Sequence, residues 1–521
     1  MPGPQTVGIV ETSDASSAGE FAEWALLLAA GCAALIFIAV GIRRPVWLDE
    51  ANSVLIAARG FGGIVDSLRH DNNLPCYYSL LCVWMRVFGD SEIALRALSA
   101  VFYLGGCGAV FLLGKRASGD RRRGFYSAFF YGVSPLAIRQ AQNIRMYALL
   151  GLLTALSTYF FLRIFQDEDR SRGALAALIA VDAIGCLTHV WFIFVLMAQF
   201  AALVFAARPP SLKNLGRFAG VACVAGVPFA VLWAPIFLAQ LRNGATDWMP
   251  KLQPGVLTRA LFDYYGPLAA AALFALLVAG LLARGGERPR LPGSVRSLTV
   301  IFGVCIAAPL LVSLVKPIYW PGRYTIIALP ALAALLGSVL PAITPRPLLV
   351  VVCIALLAFQ AVDHVANRAS VPESTLPAGQ SDKTTAEFLL GRAAAGDAIV
   401  FTSLTRAAAD YYFRRAGAAG RFVEINFPAE VAAHLGWMSM ALTPDRSSHL
   451  ETESALTCAA LERVAARGGT VWLYDGYAPS ITGILKQKLD LALTLRNRYA
   501  LQGSFHTSLL EYGSRVEQGM R

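Results

Sequence analysis

Asp49 and Glu50 stand side by side in Trp47-Leu48-Asp49-Glu50, a few residues past the end of a long apolar segment. Charged groups at the edge of a membrane are costly and usually functional. A carboxylate there can act as a base toward a hydroxyl or amine while neighbouring cations hold a phosphate leaving group, which is the chemistry of sugar transfer. Candidate partners fall in two further clusters. One runs from Ser134-Pro135 through Arg139, Gln140, Gln142 and Asn143 to Arg145 and Tyr147; the other runs from Lys316 to Arg323 and Tyr324. Arg grips phosphate with two parallel N–H donors, whereas Lys offers a compact point charge. Taken singly, these residues have plainer readings. Asp49 and Glu50 suit the first turn of a helix or a solvated pair, and Arg139, Arg145, Lys316 and Arg323 suit interface anchors.

The elements that must position these groups are membrane spans. A chain of 521 residues with 56% hydrophobic and 15% charged content and a mean hydropathy of +0.54 cannot be one soluble globule. Apolar stretches long enough, or nearly so, to cross roughly 30 Å of hydrocarbon occur at 24–42, 92–114, 124–138, 145–165, 173–189, 190–207, 217–240, 262–283, 297–315, 324–341 and 346–366. The sequence therefore predicts a polytopic α-helical membrane protein of about eleven spans. The 74–89 stretch, short and interrupted by Arg86, reads as a helix lying in or dipping into the interface.

With the 1–23 tail inside, Lys115, Arg116, Arg121, Arg122 and Arg123 fall in one short cytoplasmic loop, and the later inside loops are basic too. Arg43 and Arg44 run against this orientation, and the N-terminal tail carries only acidic charge. The formal charge of +11 is thus mainly a topology signal, and no nucleic-acid partner is implied. The first apolar segment is followed by Arg-Arg-Pro in place of a cleavage site and reads as a retained anchor. Eight of the nine Cys lie in or beside apolar segments and no Cys-x-x-Cys occurs, so they read as small buried hydrophobes.

The transmembrane domain is placed at 24–370, with a large external loop at 43–91 that also carries His70, Asp71, Asn72, Asn73, Pro75, Tyr77 and Tyr78. A Ser/Pro/Gly-containing linker then leads into a more polar region, 382–521, read as a small extracytoplasmic α/β domain. Its strand candidates are 397–402, 421–426 and 470–475, with helices near 382–395, 404–415, 455–467 and 478–492. It contains no P-loop or Gly-x-Gly-x-x-Gly and reads as a lid or docking scaffold.

Over residues 20–370 the sequence resembles the GT-C membrane glycosyltransferases, in particular bacterial relatives of the dolichyl-phosphate-mannose protein mannosyltransferases and of the lipid A aminoarabinose transferase. The resemblance rests on Trp47-x-Asp49-Glu50-Ala51, His70-Asp71-Asn72-Asn73-Leu74-Pro75-x-Tyr77-Tyr78, Phe88-Gly89-Asp90-Ser91-Glu92 with Arg96 and Ser99, and Ser134-Pro135 leading to Arg145-Met146-Tyr147, in the family's order. It implies an inverting transferase that takes a sugar from a polyprenyl-phosphate donor to an envelope acceptor (lipid, polysaccharide or protein) on the outer face of the cytoplasmic membrane. Asp49 takes the place of the family's catalytic acid residue, with Glu50 beside it in support. His70, Asp71, Arg96, Arg145, Tyr147, Lys316, Arg323 and Tyr324 are the implied substrate-binding residues.

Two departures stand out. Gln142 and Asn143 occupy positions where many relatives carry an acidic residue before the Arg-x-Tyr element, and the family's double proline is reduced to Pro75. No metal ligand set is assigned, and a divalent metal stays an open alternative, with His70 the residue weighed as a ligand. The competing functional readings are a non-catalytic lipid or solute transporter and an envelope-polysaccharide assembly subunit. A transporter would carry charge at mid-span in paired broken helices, whereas these spans are nearly free of charge except for Asp182.

Overall fold

An apolar run that enters hydrocarbon must satisfy its own backbone, and here it does so as helix. The computed structural model describes residues 13–69, 71, 73–206, 211–242, 249–282, 292–320, 322–366, 379–432, 438, 442–476, 478–503 and 507–515, so His70 lies outside the described residues. Among these, five helices are long and apolar enough to cross a membrane: Glu92–Ser118, Tyr147–Phe165, Leu212–Leu232, Gly293–Val315 and Tyr324–Ile343. Leu28–Gly41, Phe192–Phe205 and Arg346–Val362 are shorter apolar helices. The protein is a multi-pass helical membrane protein.

Three stretches expected to cross as single spans are broken. The 124–138 stretch ends a helix at Gly132 and starts another at Pro135, because a residue before proline is driven out of helical geometry and Ser134 is extended. The 262–283 stretch belongs to a pair, Val256–Phe262 and Pro267–Gly280, bent by 84°. Gly266 makes this bend with φ at 79°, a value open to glycine. The 217–240 stretch divides at Trp233 into Leu212–Leu232 and Ala234–Arg242. The first two breaks meet, since the Ser134 hydroxyl donates to the Tyr264 carbonyl at 2.8 Å and the Tyr265 hydroxyl to the Phe130 carbonyl at 2.9 Å. The 74–89 stretch is a helix of 14 residues, Pro75–Phe88.

The bundle packs through small residues, as membrane helices do where no hydrophobic drive separates helix from lipid. A Cβ at Gly106 or Gly151 would stand 2.8 or 2.7 Å from the Tyr131 hydroxyl oxygen, so these glycines let three helices close around that side chain.

The C-terminal region forms one sheet of five strands: β1 (Ala398–Thr402), β2 (Val423–Phe427), β3 (Val471–Asp475), β4 (Thr494–Tyr499) and β5 (Ser508–Gly513), in the order β2-β1-β3-β5-β4. β2, β1 and β3 are parallel and correspond to the three strands expected; β5 and β4 add an antiparallel hairpin that the sequence reading does not contain. The helices Asp382–Arg392, Arg406–Arg415, Pro444–Ala466 and Pro479–Ala492 match the expected ones apart from the early start at Pro444. The Arg406–Arg415 helix packs on the Leu48–Ala58 helix, which carries the paired carboxylates.

Candidate active site

Asp49 and Glu50 occupy the first turn of the Leu48–Ala58 helix, where the positive end of the helix dipole favours carboxylates. The two side chains leave that turn in different directions. Glu50 is wholly buried. It accepts from Arg96 through both oxygens, from the Ile144 amide at 3.1 Å and from the Trp47 amide at 3.5 Å, and Arg44 stands 3.8 Å away.

Arg96 is equally buried, and its guanidinium makes five hydrogen bonds, to the carbonyls of Ile42, Arg44 and Pro45 and to the two Glu50 oxygens. A guanidinium has five N–H donors, so none is left for a substrate. The substrate-binding part expected of Arg96 therefore does not fit this geometry. Arg96 and Glu50 fasten the 42–50 segment to the Glu92–Ser118 helix and to the turn at 142–145. Arg44 donates to the Gln142 carbonyl at 2.9 Å, which explains why a cation sits on the side where the charge pattern predicts none.

Asp49 is different. Its side chain is 23% exposed, and one oxygen accepts from Arg323 Nη1 at 3.0 Å, a group itself 20% exposed. Arg323 lies between two indoles, 5.5 Å from the Trp47 ring centre and 5.7 Å from that of Trp320. Such stacking holds a guanidinium flat and leaves its edge for an anion. Gly322, the residue before it, is tied down from two sides: Asp263 accepts from the Gly322 amide at 2.8 Å, and Gln140 donates to the Gly322 carbonyl at 3.0 Å.

Arg145 is the second cation. It is nearly buried, yet its bonds are long, 3.5 Å to the Asp49 carbonyl and the Ser53 hydroxyl and 3.3 Å to Asn73 Oδ1, and its Nε has no hydrogen-bond partner among the described residues. Asn73 in turn donates to Asp71 at 2.9 Å, so Asp71 and Asn73 both join the site. Gln240 donates to the Leu68 carbonyl at 2.7 Å and to the Asn73 carbonyl at 3.4 Å.

Tyr147 and Tyr324 are buried beside the cations. Their rings are 5.9 Å apart, and both face His189, at 5.9 and 5.1 Å, while Trp191 stands 4.9 Å from Tyr324. The His189 Nδ1 accepts from the Trp191 amide at 3.1 Å. His189 also lines an apolar cleft of about 650 Å³, whose walls include Val190, Met197, Phe200, Phe218 and Phe229. The cleft thus reaches the histidine that Tyr147 and Tyr324 face. Lys316, half-buried at the end of the Gly293–Val315 helix, makes no ion pair among the described residues.

Asp263 and Gln240 also shape the site and were not singled out for it by the sequence, whereas Gln140 belongs to the Arg139–Tyr147 cluster that was. Among the described residues no group of three or more His, Cys, Asp or Glu side chains is placed to hold a metal ion.

Residues 74–233 match the dolichyl-phosphate-mannose-protein mannosyltransferase family. No curated protein matches the chain. ArnT from Cupriavidus metallidurans, in its crystal structure bound to undecaprenyl phosphate, is similar over 93% of this chain and 97% of its own, with a TM-score of 0.61 and 14% identity. Its apo structure gives 0.59 and 15% over the same shares. The arabinofuranosyltransferase AftD from Mycobacteria gives 0.50 and 17%, over 94% of this chain and 41% of that one. At such identities the shared property is the fold: over nearly its whole length the chain has the fold of these membrane glycosyltransferases, and the family match falls within it.

Proposed function

We propose that the protein is an inverting glycosyltransferase that moves a sugar from a polyprenyl-phosphate donor to an envelope acceptor. The observation that carries this reading is the Asp49–Arg323 pair: a partly exposed carboxylate and a partly exposed guanidinium 3.0 Å apart, beside Arg145 and an apolar cleft. Asp49 takes the proton of an acceptor hydroxyl or amine. The acceptor atom attacks the anomeric carbon as the bond from that carbon to the phosphate oxygen breaks, inverting the centre in one displacement. Polyprenyl phosphate leaves with the electron pair, and its negative charge is met by Arg323 and Arg145. The cleft lined by Phe200, Phe218 and Phe229 has the apolar character that a prenyl tail requires. Glu50, saturated by Arg96, acts as a positioning residue for Asp49. Asp71, Tyr147 and Tyr324 build the walls of the substrate site, and Lys316 is the reserve cation for the phosphate.

In this reading the site and the 382–521 region lie on the extracytoplasmic side of the cytoplasmic membrane, with 1–23 inside. A reporter fused after Gly519 that works only outside the cytoplasm should be active; activity of a cytoplasmic reporter there would reverse the orientation.

The direct test uses purified protein and radiolabelled polyprenyl-phosphate sugar. The parent should transfer label to an acceptor fraction, and Asp49→Asn should lower turnover by about 10² or more, the lower range of what a general base contributes. Parent-level transfer by the Asn variant would make Asp49 structural. Donor movement across vesicles without bond cleavage would favour a transporter.

A further inference from the structure

The 42–50 segment that carries Asp49 is held from one side by Arg96, which collects its carbonyls. Its amide side is held from elsewhere. The Val46 N–H, wholly buried, donates to the Tyr412 hydroxyl at 2.7 Å, a bond across 366 residues of sequence. The same hydroxyl donates to Glu92 Oε1 at 2.8 Å, and Glu92 opens the helix that carries Arg96. Around this centre, Lys383 Nζ reaches Glu92 at 3.3 Å, and the Tyr411 hydroxyl and Arg415 both donate to the Asp90 carbonyl at 2.9 Å.

We propose that Tyr412, on the Arg406–Arg415 helix of the C-terminal region, is a positioning residue for the Asp49 carboxylate, so that this region completes the active site without touching substrate. A hydroxyl that accepts from one buried amide and donates to one carboxylate has both its functions used, and phenylalanine can supply neither. Val46 lies three positions before Asp49, immediately ahead of the N-cap Trp47 of the helix that carries it, so freedom at Val46 becomes freedom in the direction of the carboxylate. Misplacement on the scale of an ångström is enough to slow a positioned reaction strongly. The effect on turnover rests on the glycosyl-transfer reading above; the effect on the segment does not.

The test is Tyr412→Phe in the full-length protein, with Lys383→Ala as a control that trims the rim of the same contact. Hydrogen–deuterium exchange of a peptide covering 43–50 should rise about tenfold in Tyr412→Phe and stay at the parent level in Lys383→Ala, in keeping with loss of one buried hydrogen bond. With a polyprenyl-phosphate sugar donor, kcat should fall about tenfold while the donor KM stays within twofold. Unchanged exchange at 43–50 overturns the proposal whatever the activity, and raised exchange with parent kcat overturns the positioning role. A parent without transfer activity refutes the glycosyl-transfer reading, and the exchange arm still decides whether Tyr412 holds the segment. Should Tyr412→Phe fail to fold, Glu92→Ala, which releases the hydroxyl but keeps the ring, should raise exchange at 43–50; parent-level exchange in that variant overturns the proposal equally.

Discussion

The surroundings of Glu50 and those of Asp49 are one residue apart and opposite in kind. Around Glu50 every strong donor is protein: both oxygens are taken by Arg96, the Ile144 amide adds a third bond, and no solvent reaches the group. Around Asp49 the groups are open at their edges: Arg323 lies over the Trp47 and Trp320 rings, and Arg145 has long bonds and an Nε with no partner among the described residues. A buried ion pair whose donors are all used fixes geometry and has nothing to offer a ligand. A partly exposed pair with spare donors can exchange protein partners for substrate. The adjacent carboxylates thus divide the work of holding the site and of acting in it.

The largest expected effect breaks the Glu50 side. Removing one partner of a buried pair leaves the other charge uncompensated, at a cost of about 3–5 kcal/mol. Arg96→Met or Glu50→Gln should therefore lower folded yield and the apparent Tm in detergent far more than Asp49→Asn does. If Glu50→Gln unfolds at the parent temperature and loses only turnover, the two carboxylates are not divided in this way and Glu50 belongs with the reacting groups.

A smaller effect sharpens the Asp49 side. Arg323→Lys and Arg145→Lys keep the charge and lose the two-pronged geometry, which should raise the donor KM or lower kcat about tenfold, roughly 1.4 kcal/mol. Folding, read by size-exclusion behaviour in detergent, should be intact in both. Parent kinetics in both variants would move the phosphate elsewhere, with Lys316 the next residue to change.

The Asp49–Glu50 pair, the two further clusters and the membrane class were legible in the sequence because charge next to long apolar runs is a strong signal. Which carboxylate is buried was not legible, since that depends on Arg96 arriving from a separate helix 46 residues on. The broken helices at Ser134 and Gly266 were read as continuous spans because hydropathy counts apolar residues and is blind to a proline or glycine that redirects the backbone. The β4 strand was missed for a related reason. Thr494–Tyr499 carries Arg496, Asn497 and Arg498 in an exposed edge strand with a bulge, so it lacks the apolar alternation that marks a strand. His189 lies at the corner between the helices that end at Thr188 and start at Phe192, and its contact with Tyr147 and Tyr324 becomes visible only in the fold.

That histidine gives the smallest and most specific test of the contrast. His189 Nδ1 accepts from the Trp191 amide, and its ring faces Tyr147 and Tyr324 on the Asp49 side of the site. His189→Asn keeps an acceptor for the Trp191 amide and removes the ring, so it trims the aromatic wall without leaving a buried charge uncompensated. Its apparent Tm in detergent should therefore fall less than that of Glu50→Gln. An equal fall would mean that the aromatic wall holds the fold as strongly as the buried Glu50–Arg96 pair, and that the division between the two carboxylates is not one between holding and acting.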